Sequence, residues 1–322
     1  GGNRGGGNRG GSRGGSHGSS SANSSGGGSG GHSRSGPRTT TIVQPDRPNH
    51  SESLVDIGAN LTKFDFKNDL DQVLQRCVDT NVNHVIITGT DERNSMDAIS
   101  MIHTHNKHLK FPRLKLYSTV GIHPHDAKKC TEQTIERLDE LIAREKKSGV
   151  VCAVGETGLD FNRMFSPQAK QEWSFARHVE LAIKHGLPMF LHERDAHDDF
   201  VKVLSTFDRD KLPPIVVHCF TGTREACAQY VSMGFYIGFT ACICKADRGR
   251  HLRELLADGV VPLDRIMIET DAPFMSPSFS IRRMEPCYLY HVVQTLAEIF
   301  DLPEEEVARV TTRNAKQFFN LN

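Results

Sequence analysis

Short apolar runs recur along the chain from residue 53 onward, and each is followed by a stretch with an amphipathic helical pattern. Continuous apolar runs are typical of strands that are buried on both faces of a parallel sheet. Apolar residues that return every three or four positions indicate the helices between them. The runs occupy residues 53–58, 84–89, 116–121, 150–156, 188–192, 214–218, 235–239 and 265–271, and two further helices are predicted at roughly 287–300 and 303–319.

Eight alternating strand–helix units predict an α/β fold, a closed (β/α)8 TIM barrel. An open, doubly wound sheet is the alternative architecture. That fold usually has fewer strands and often carries a Gly-rich phosphate turn after the first strand. No such turn follows the first run in this sequence, so the barrel is favoured.

The N-terminal part of the chain has a different composition from the rest. Residues 1–45 are mostly Gly, Ser, Asn and Arg, with five Arg and no acidic residue. Such a segment cannot bury enough apolar surface to offset the entropy cost of ordering it. We therefore expect residues 1–50 to be a disordered Gly/Ser/Arg-rich extension and residues 51–322 to form the barrel.

The arginines of this leader raise the question of nucleic-acid contact. Arg4, Arg9 and Arg13 each precede Gly-Gly, and Arg-Gly-Gly segments can contact RNA or other nucleic acids. A flexible leader with incidental arginines is the favoured alternative. The full chain has zero formal net charge, so the part beyond residue 45 carries a net charge of −5. A polyanionic substrate would therefore need local basic groups or bound cations on the barrel.

Cysteine usage and hydropathy narrow the class of protein. The eight Cys residues include no C-x-x-C pair, and several lie inside apolar runs, which predicts reduced and mostly buried thiols. No run approaches the roughly 20 apolar residues that a membrane helix needs. These features are compatible with a cytoplasmic or a nuclear location.

Polar residues collect at the ends of the predicted strands. Run four ends on Glu156, runs five and six end on His192 and His218, run eight ends on Asp271, and run three leads to His123. In a parallel barrel these ends open onto the face where active sites lie. Imidazole and carboxylate groups are common ligands of divalent metals, so the pattern favours a metal site over a purely structural polar cluster.

Other polar residues receive secondary interpretations. Thr157, Arg194 and Thr270 are placed to orient metal ligands from behind. We expect His84 and His178, like the histidines near residue 105, to lie on the solvated surface.

The ordered motifs of the chain resemble the TatD family of metal-dependent deoxyribonucleases. The resemblance covers residues 53–319 and leaves out the leader. It is carried by the segments DIGANLT, ITGT, VGIHPHDA, VGETGLDFNR, PMFLHERDAH, VVHCFTGT, YIGFTACIC, IETDAPF and RRMEP.

The resemblance implies roles for particular residues. It assigns metal binding to Glu156, His192, His218 and Asp271, and catalysis to Glu156, Asp271 and His123. Asp271 would also orient or deprotonate the attacking water, and His123 would contact the scissile phosphate or assist proton transfer.

One departure from the family pattern concerns strand 1. Most relatives carry His-x-His there, whereas Gly58 and Asn60 occupy these positions in this chain. A subgroup of the family shares this form, and Asn60 or Asp56 could act as a weak metal ligand or lie behind one. The remaining set has more oxygen ligands, which favours Mg²⁺, with Mn²⁺ and Zn²⁺ as alternatives and one or two ions bound. A second departure is Met284, where relatives often have Asn.

The resulting functional expectation is a hydrolase that cleaves DNA phosphodiester bonds. The family implies 3′–5′ exonuclease activity on single-stranded or nicked DNA, with roles in DNA catabolism or repair. Exposed guanidinium groups could hold flanking phosphates, and the candidates are Arg163, Arg194, Arg282 and Arg283. For each arginine, a surface charge or a salt bridge is the alternative. Two other functions stay open: an aminoacyl-tRNA deacylase, and a non-catalytic nucleic-acid-binding adaptor.

Overall fold

Each apolar run identified in the sequence overlaps a β-strand in the computed structural model, which describes residues 48–322. The strands are β1 (Leu54–Ala59), β2 (Val82–Ile87), β3 (Lys115–Val120), β4 (Val151–Asp160), β5 (Met189–Arg194), β6 (Ile215–Val217), β7 (Tyr236–Phe239) and β8 (Ile266–Ile268). They form one sheet in sequential order, and each strand pairs in parallel with the next.

The sheet closes on itself just beyond the ends of β8 and β1. Ala59 and Ala272 form a parallel bridge, and the Asp271 backbone N–H donates to the Gly58 carbonyl at 2.8 Å. The predicted TIM barrel is therefore confirmed. The closure also brings the loop that carries Asp271 against the end of β1, where the metal site is expected.

Helices follow the strands and cover the outside of the barrel. They are α1 (Leu70–Asp79), α2 (Glu92–His108), α3 (Glu132–Glu145), α4 (Gln168–His185), α5 (His197–Leu204), α6 (Arg224–Ser232), α7 (Arg250–Ala257), α8 (Tyr290–Phe300) and α9 (Glu304–Phe319). The amphipathic pattern of the sequence is visible in these elements, since each helix buries one apolar face, as α1 does with Val73, Leu74 and Cys77.

Apolar side chains fill two regions of the barrel. The larger cluster lies between the strands and the surrounding helices. A smaller cluster joins Val55 of β1 to Phe190 of β5 and Phe318 of α9. Because β1 and β5 are on opposite sides of the barrel, this second cluster fills its interior and leaves the carboxyl ends of the strands free for polar groups.

Two sequence predictions, on the leader and on membrane helices, are only partly covered by the residues that the structure describes. The predicted disordered leader, residues 1–50, lies outside the described residues except for its last three positions, so it stays a prediction together with its arginines and the domain boundary. Among the described helices, none combines the length and apolar character that crossing a membrane requires.

Candidate active site

Glu156 lies inside β4 rather than at its end. The prediction that this strand stops at Glu156 is wrong, because Thr157–Asp160 continue to pair with Leu191–Arg194 of β5. Gly155 and Gly158 have φ angles of +147° and +136°, and a Cβ at either position would overlap a backbone carbonyl oxygen of β5. The two glycines therefore allow the close approach that brings β5 and its His192 beside Glu156.

Three imidazole rings converge on one carboxylate oxygen of Glu156. Its Oε1 lies 3.1 Å from His123 Nε2, 3.0 Å from His192 Nδ1 and 2.8 Å from His218 Nε2. The donor atoms of His123, Glu156 and His192 all lie within 4.8 Å of one another, a compact arrangement that could hold a metal ion. The structure therefore places together four of the five residues that the strand-end pattern singled out.

Two further carboxylates hold the histidines from the opposite side. Asp160 Oδ2 lies 3.2 Å from His192 Nε2, and Glu269 Oε2 lies 3.1 Å from His218 Nδ1. Both acids are almost fully buried, at 1% and 0% exposure. His192 and His218 thus each face Glu156 with one ring nitrogen and a supporting carboxylate with the other, which is the usual arrangement around metal-binding histidines.

Asp271 approaches the site from the closure of the barrel. Its Oδ1 accepts a hydrogen bond from Asn60 Nδ2 at 3.0 Å, so the strand-1 residue that replaces a family histidine orients this carboxylate. Asp56 lies further back and accepts hydrogen bonds from the backbone N–H and the hydroxyl of Thr270 at 2.9 and 2.5 Å. The compact group of donor atoms consists of His123, Glu156 and His192, so Asp56 and the predicted ligands His218 and Asp271 lie outside it among the described residues.

The charge states of the site follow from burial and from the facing groups. Burial raises the pKa of Asp271 to about 7. Burial also disfavours the charged form of Glu156, but the facing His123 and His218 rings hold the pKa of this acid well below its usual range. Burial lowers the pKa of His123, whereas Glu156 and Glu269 outweigh burial and raise the pKa of His218. In this arrangement a positive charge offsets the buried acids, which is the role that a divalent cation would take.

The donor set is chemically suited to a divalent metal. Nitrogen and carboxylate oxygen donors from separate strands face one point, and two of the imidazoles are oriented by carboxylates behind them. This supports a metal site without deciding which metal it binds.

The four candidate arginines fall into two groups. Arg163, Arg194 and Arg282 are exposed and form no ion pair with the residues the structure describes. Arg283 instead pairs with Asp69 and Glu285, in both cases at 2.6 Å. For Arg283 the salt bridge that was the alternative is present, so its guanidinium is already engaged.

Several secondary predictions have definite outcomes. The Thr270 hydroxyl supports Asp56, while Thr157 Oγ1 is buried and has no hydrogen-bond partner among the described residues. The expectation that His178 and His84 are solvated is wrong. His178 is fully buried and accepts a hydrogen bond from the Ile122 N–H at 3.1 Å, and His84 is 6% exposed.

Two residues that contact the histidines of the candidate site were not singled out in the sequence, namely Asp160 and Glu269. Both were visible as acids within the strand-end motifs GETGLD and IETD. Neither was given a role, because a carboxylate that acts on a ligand from behind has no spacing signature of its own.

Comparisons with known proteins agree with this site. The family model of TatD related DNases matches residues 55–320. The "3′-5′ ssDNA/RNA exonuclease TatD" of Escherichia coli strain K12 is 39% identical over 273 residues, which cover 83% of this chain and 99% of that protein. The protein of the same name from Erwinia billingiae strain Eb661 is 40% identical over 273 residues, with the same coverage.

Solved structures give the same result at lower identity. A hydrolase TatD family protein from Entamoeba histolytica superposes with a TM-score of 0.75 at 25% identity, covering 84% of this chain and 99% of that one. A phosphotriesterase homology protein from Escherichia coli shares the fold alone, with a TM-score of 0.60 at 16% identity over 83% of this chain and 99% of its own. The chain therefore belongs to the family of TatD related DNases.

Proposed function

We propose that this protein is a divalent-metal-dependent nuclease that hydrolyses phosphodiester bonds and removes nucleotides from the 3′ end of single-stranded or nicked DNA. The convergence of His123, His192 and His218 on Glu156 at the mouth of the barrel is the observation that carries the proposal. Family membership supports the phosphodiester as the bond that is cleaved, and the names of the relatives support removal of nucleotides from the 3′ end. No comparison favours the deacylase or the adaptor interpretation.

Glu156, His192, His218 and Asp271 would hold the metal. When bound, a divalent ion would make a water molecule more acidic and offset negative charge on the phosphoryl oxygens. The absence of imidazoles at Gly58 and Asn60 leaves a set richer in oxygen, which supports Mg²⁺ as the ion that the site uses.

His123 is prepared to donate a hydrogen bond towards the substrate. The His125 backbone N–H donates to His123 Nδ1 at 3.1 Å, so the neutral ring must carry its proton on Nε2. Burial lowers the pKa of His123 and keeps the ring neutral at pH 7. Its Nε2–H faces Glu156 Oε1 at 3.1 Å, and it would become available to a phosphate oxygen or to the leaving group once a metal ion engages that carboxylate.

Asp271 is placed to accept the proton of the attacking water. Burial raises the pKa of this carboxyl to about 7, which makes it a better proton acceptor than an exposed aspartate. The Asn60 amide holds one carboxylate oxygen at 3.0 Å and thereby fixes the direction of the other.

The exposed arginines would hold the substrate outside the metal site. Arg163, Arg194 and Arg282 lie on segments at the carboxyl ends of β4, β5 and β8, and exposed guanidinium groups can bind phosphates in a bidentate manner. They provide the local positive charge that a domain with a net charge of −5 needs for a polyanionic substrate.

The test uses 5′-end-labelled single-stranded DNA with Mg²⁺, with Mn²⁺, or with a chelator. We expect stepwise shortening from the 3′ end that requires the metal and is lost in Asp271→Asn. Asp264→Asn changes an exposed acid that precedes β8, at the other end of the strand, and as the control it should retain activity. If the wild-type protein shortens neither DNA nor RNA with any of the metals, the proposal is wrong. Two further parts of the proposal, a role in DNA repair and a location in the cytoplasm or nucleus, are tested separately in cells.

A further inference from the structure

Exposed phenylalanines lie on segments that follow strands at the mouth of the barrel. Phe64 follows β1, Phe165 follows β4 and Phe274 follows β8, with 78%, 58% and 52% of their surfaces exposed. Large aromatic side chains usually bury most of their surface, and those that stay exposed beside a site often contact a ligand. The one with the most direct connection to the active site is Phe165.

A chain of ring contacts joins Phe165 to the metal-binding group. The Phe165 ring lies 4.8 Å from the His125 ring at an angle of 82°. The His125 ring lies 4.3 Å from that of His123, which in turn lies 4.7 Å from that of His192. Phe165 is thus only one ring removed from His123, the group that faces the scissile phosphate in the proposed function.

The loop that carries Phe165 is fixed by hydrogen bonds on both sides. Its N–H donates to the Arg163 carbonyl at 2.8 Å, and the Arg163 N–H donates to Asp160 Oδ1 at 2.7 Å. On the other side, the Ser166 hydroxyl donates to the His125 carbonyl at 2.8 Å. The backbone of the loop is therefore held in place and the His125 ring contacts the Phe165 ring, so less entropy is lost when a ligand binds against it.

Two cationic residues belong to the backbone segments next to this ring. Arg163, two residues away, and Arg194, whose carbonyl accepts the Phe161 N–H at 2.9 Å, are both exposed and without an ion-pair partner in the described part of the chain. An aromatic platform beside unpaired cationic groups is the combination by which proteins bind single-stranded nucleic acids. The charge is complementary to a phosphate backbone, and the ring to an unstacked base.

We propose that Phe165 is a specificity-determining residue that stacks on a base of the single-stranded substrate close to the scissile phosphate. The inference rests on the proposed function and deepens it. Bases in a duplex are already stacked on their neighbours. A protein ring beside the reacting phosphate therefore adds binding energy only for an unpaired 3′ end. Phe165 thereby selects single-stranded ends, while the metal-binding group carries out the chemistry.

The test compares kinetics on DNA with a normal 3′ segment and on DNA with one abasic nucleotide placed at successive positions from that end. Phe165→Ala should raise KM about five- to tenfold with kcat unchanged. Phe165→Trp should restore the wild-type KM, whereas Phe165→Leu, which keeps apolar volume but lacks a flat face, should not. Met96→Ala removes an exposed apolar side chain from α2 and is the matched control without an effect.

The abasic series separates stacking from support of His125. At one abasic position the wild type should lose the same five- to tenfold, and Phe165→Ala should lose nothing more, because the base and the ring act as a pair. If Phe165→Ala lowers kcat on normal and abasic DNA alike, the ring only positions His125 and the proposal is overturned.

A binding measurement distinguishes failure of this proposal from failure of the proposed function. The inactive Asp271→Asn protein is titrated into single-stranded DNA that carries the fluorescent base 2-aminopurine near its 3′ end. Stacking on Phe165 should quench the fluorescence, and Phe165→Ala should abolish the quenching. Quenching without wild-type turnover would contradict the nuclease and keep the stacking site. If the wild type turns over DNA and Phe165→Ala leaves KM unchanged, the stacking site is contradicted and the nuclease proposal stands.

Discussion

Glu269 is the buried acid whose replacement tests the architecture of the site most directly. Its Oε2 lies 3.1 Å from His218 Nδ1, and its Oε1 accepts the Cys219 N–H at 2.5 Å. Glu269→Gln preserves size and shape but leaves only one oxygen to accept from two donors. If the new NH₂ group faces Cys219, the Cys219 N–H loses its acceptor, and if it faces His218, Nδ1 can no longer donate to this residue.

The size of the effect can be estimated from these two contacts. Leaving a buried donor without a partner costs about 1–3 kcal/mol of unfolding free energy. Losing the carboxylate behind a metal-binding histidine weakens metal binding by about 10- to 100-fold. Because Glu269 supports only His218 among the ligands, we expect about tenfold weaker Mn²⁺ binding, together with a loss of stability of about 1–3 kcal/mol.

The assay is calorimetric titration with Mn²⁺ alongside urea unfolding, with Glu285→Gln as the matched control. Glu285 is equally buried, at 1% exposure, and is held by Arg76 and Arg283 at 2.7 and 2.6 Å, away from the metal ligands. Its variant should lose stability and keep metal affinity. If Glu269→Gln binds Mn²⁺ as tightly as the wild type, or if the control weakens binding equally, the assigned role of Glu269 is wrong.

Three further outcomes are expected. Mg²⁺ at 100 times its Kd should stabilise the fold by about 2.7 kcal/mol in thermal unfolding, an effect that a chelator or Glu156→Gln should remove. Burial lowers the pKa of His178 from 6.5 to about 4, so only the unfolded ring binds a proton in that window. Unfolding free energy should therefore fall by about 3 kcal/mol as the pH drops from 6.5 to 4 in urea titrations, and His178→Gln should flatten this dependence. Arg282→Ala should reduce the salt dependence of DNA binding by about 0.7 in log–log slope, whereas Arg283→Ala should leave the slope unchanged and lower stability by about 3 kcal/mol.

The sequence was sufficient for the fold because the strand signal is local. Each apolar run must be buried on both faces, and the helical stretches between the runs leave few ways to do so other than a parallel barrel. The ends of the strands were less predictable. Thr157–Asp160 contain two polar residues and a glycine, and they are strand only because β5 pairs beside them, a partner that the local pattern does not reveal.

The site was predictable only where position in the fold implied function. Glu156, His192 and His218 end their apolar runs, and the barrel geometry then brings such ends together. His178 was misplaced although a signal existed, since it shares the apolar face of α4 with Phe175, Val179 and other buried residues. A histidine at such a position should be expected in the core, where its two ring nitrogens need backbone partners.

The change at strand 1 shows why residue-by-residue transfer from a family was incomplete. Gly58 stands where most relatives carry a histidine, but the space is occupied: a Cβ there would lie 2.5 Å from Glu269 Oε2 and 2.9 Å from Phe190 Cζ. The Glu269 side chain, which directly follows β8, occupies the space that Gly58 of β1 leaves, so the two positions depend on each other. Gly58→Ala should displace Glu269, weaken Mn²⁺ binding about tenfold through His218 and cost about 1–3 kcal/mol of stability. Because both changes act on His218, the double variant with Glu269→Gln should bind Mn²⁺ no more weakly than either single variant. Additive losses in calorimetry would mean that Gly58 influences the site by another route.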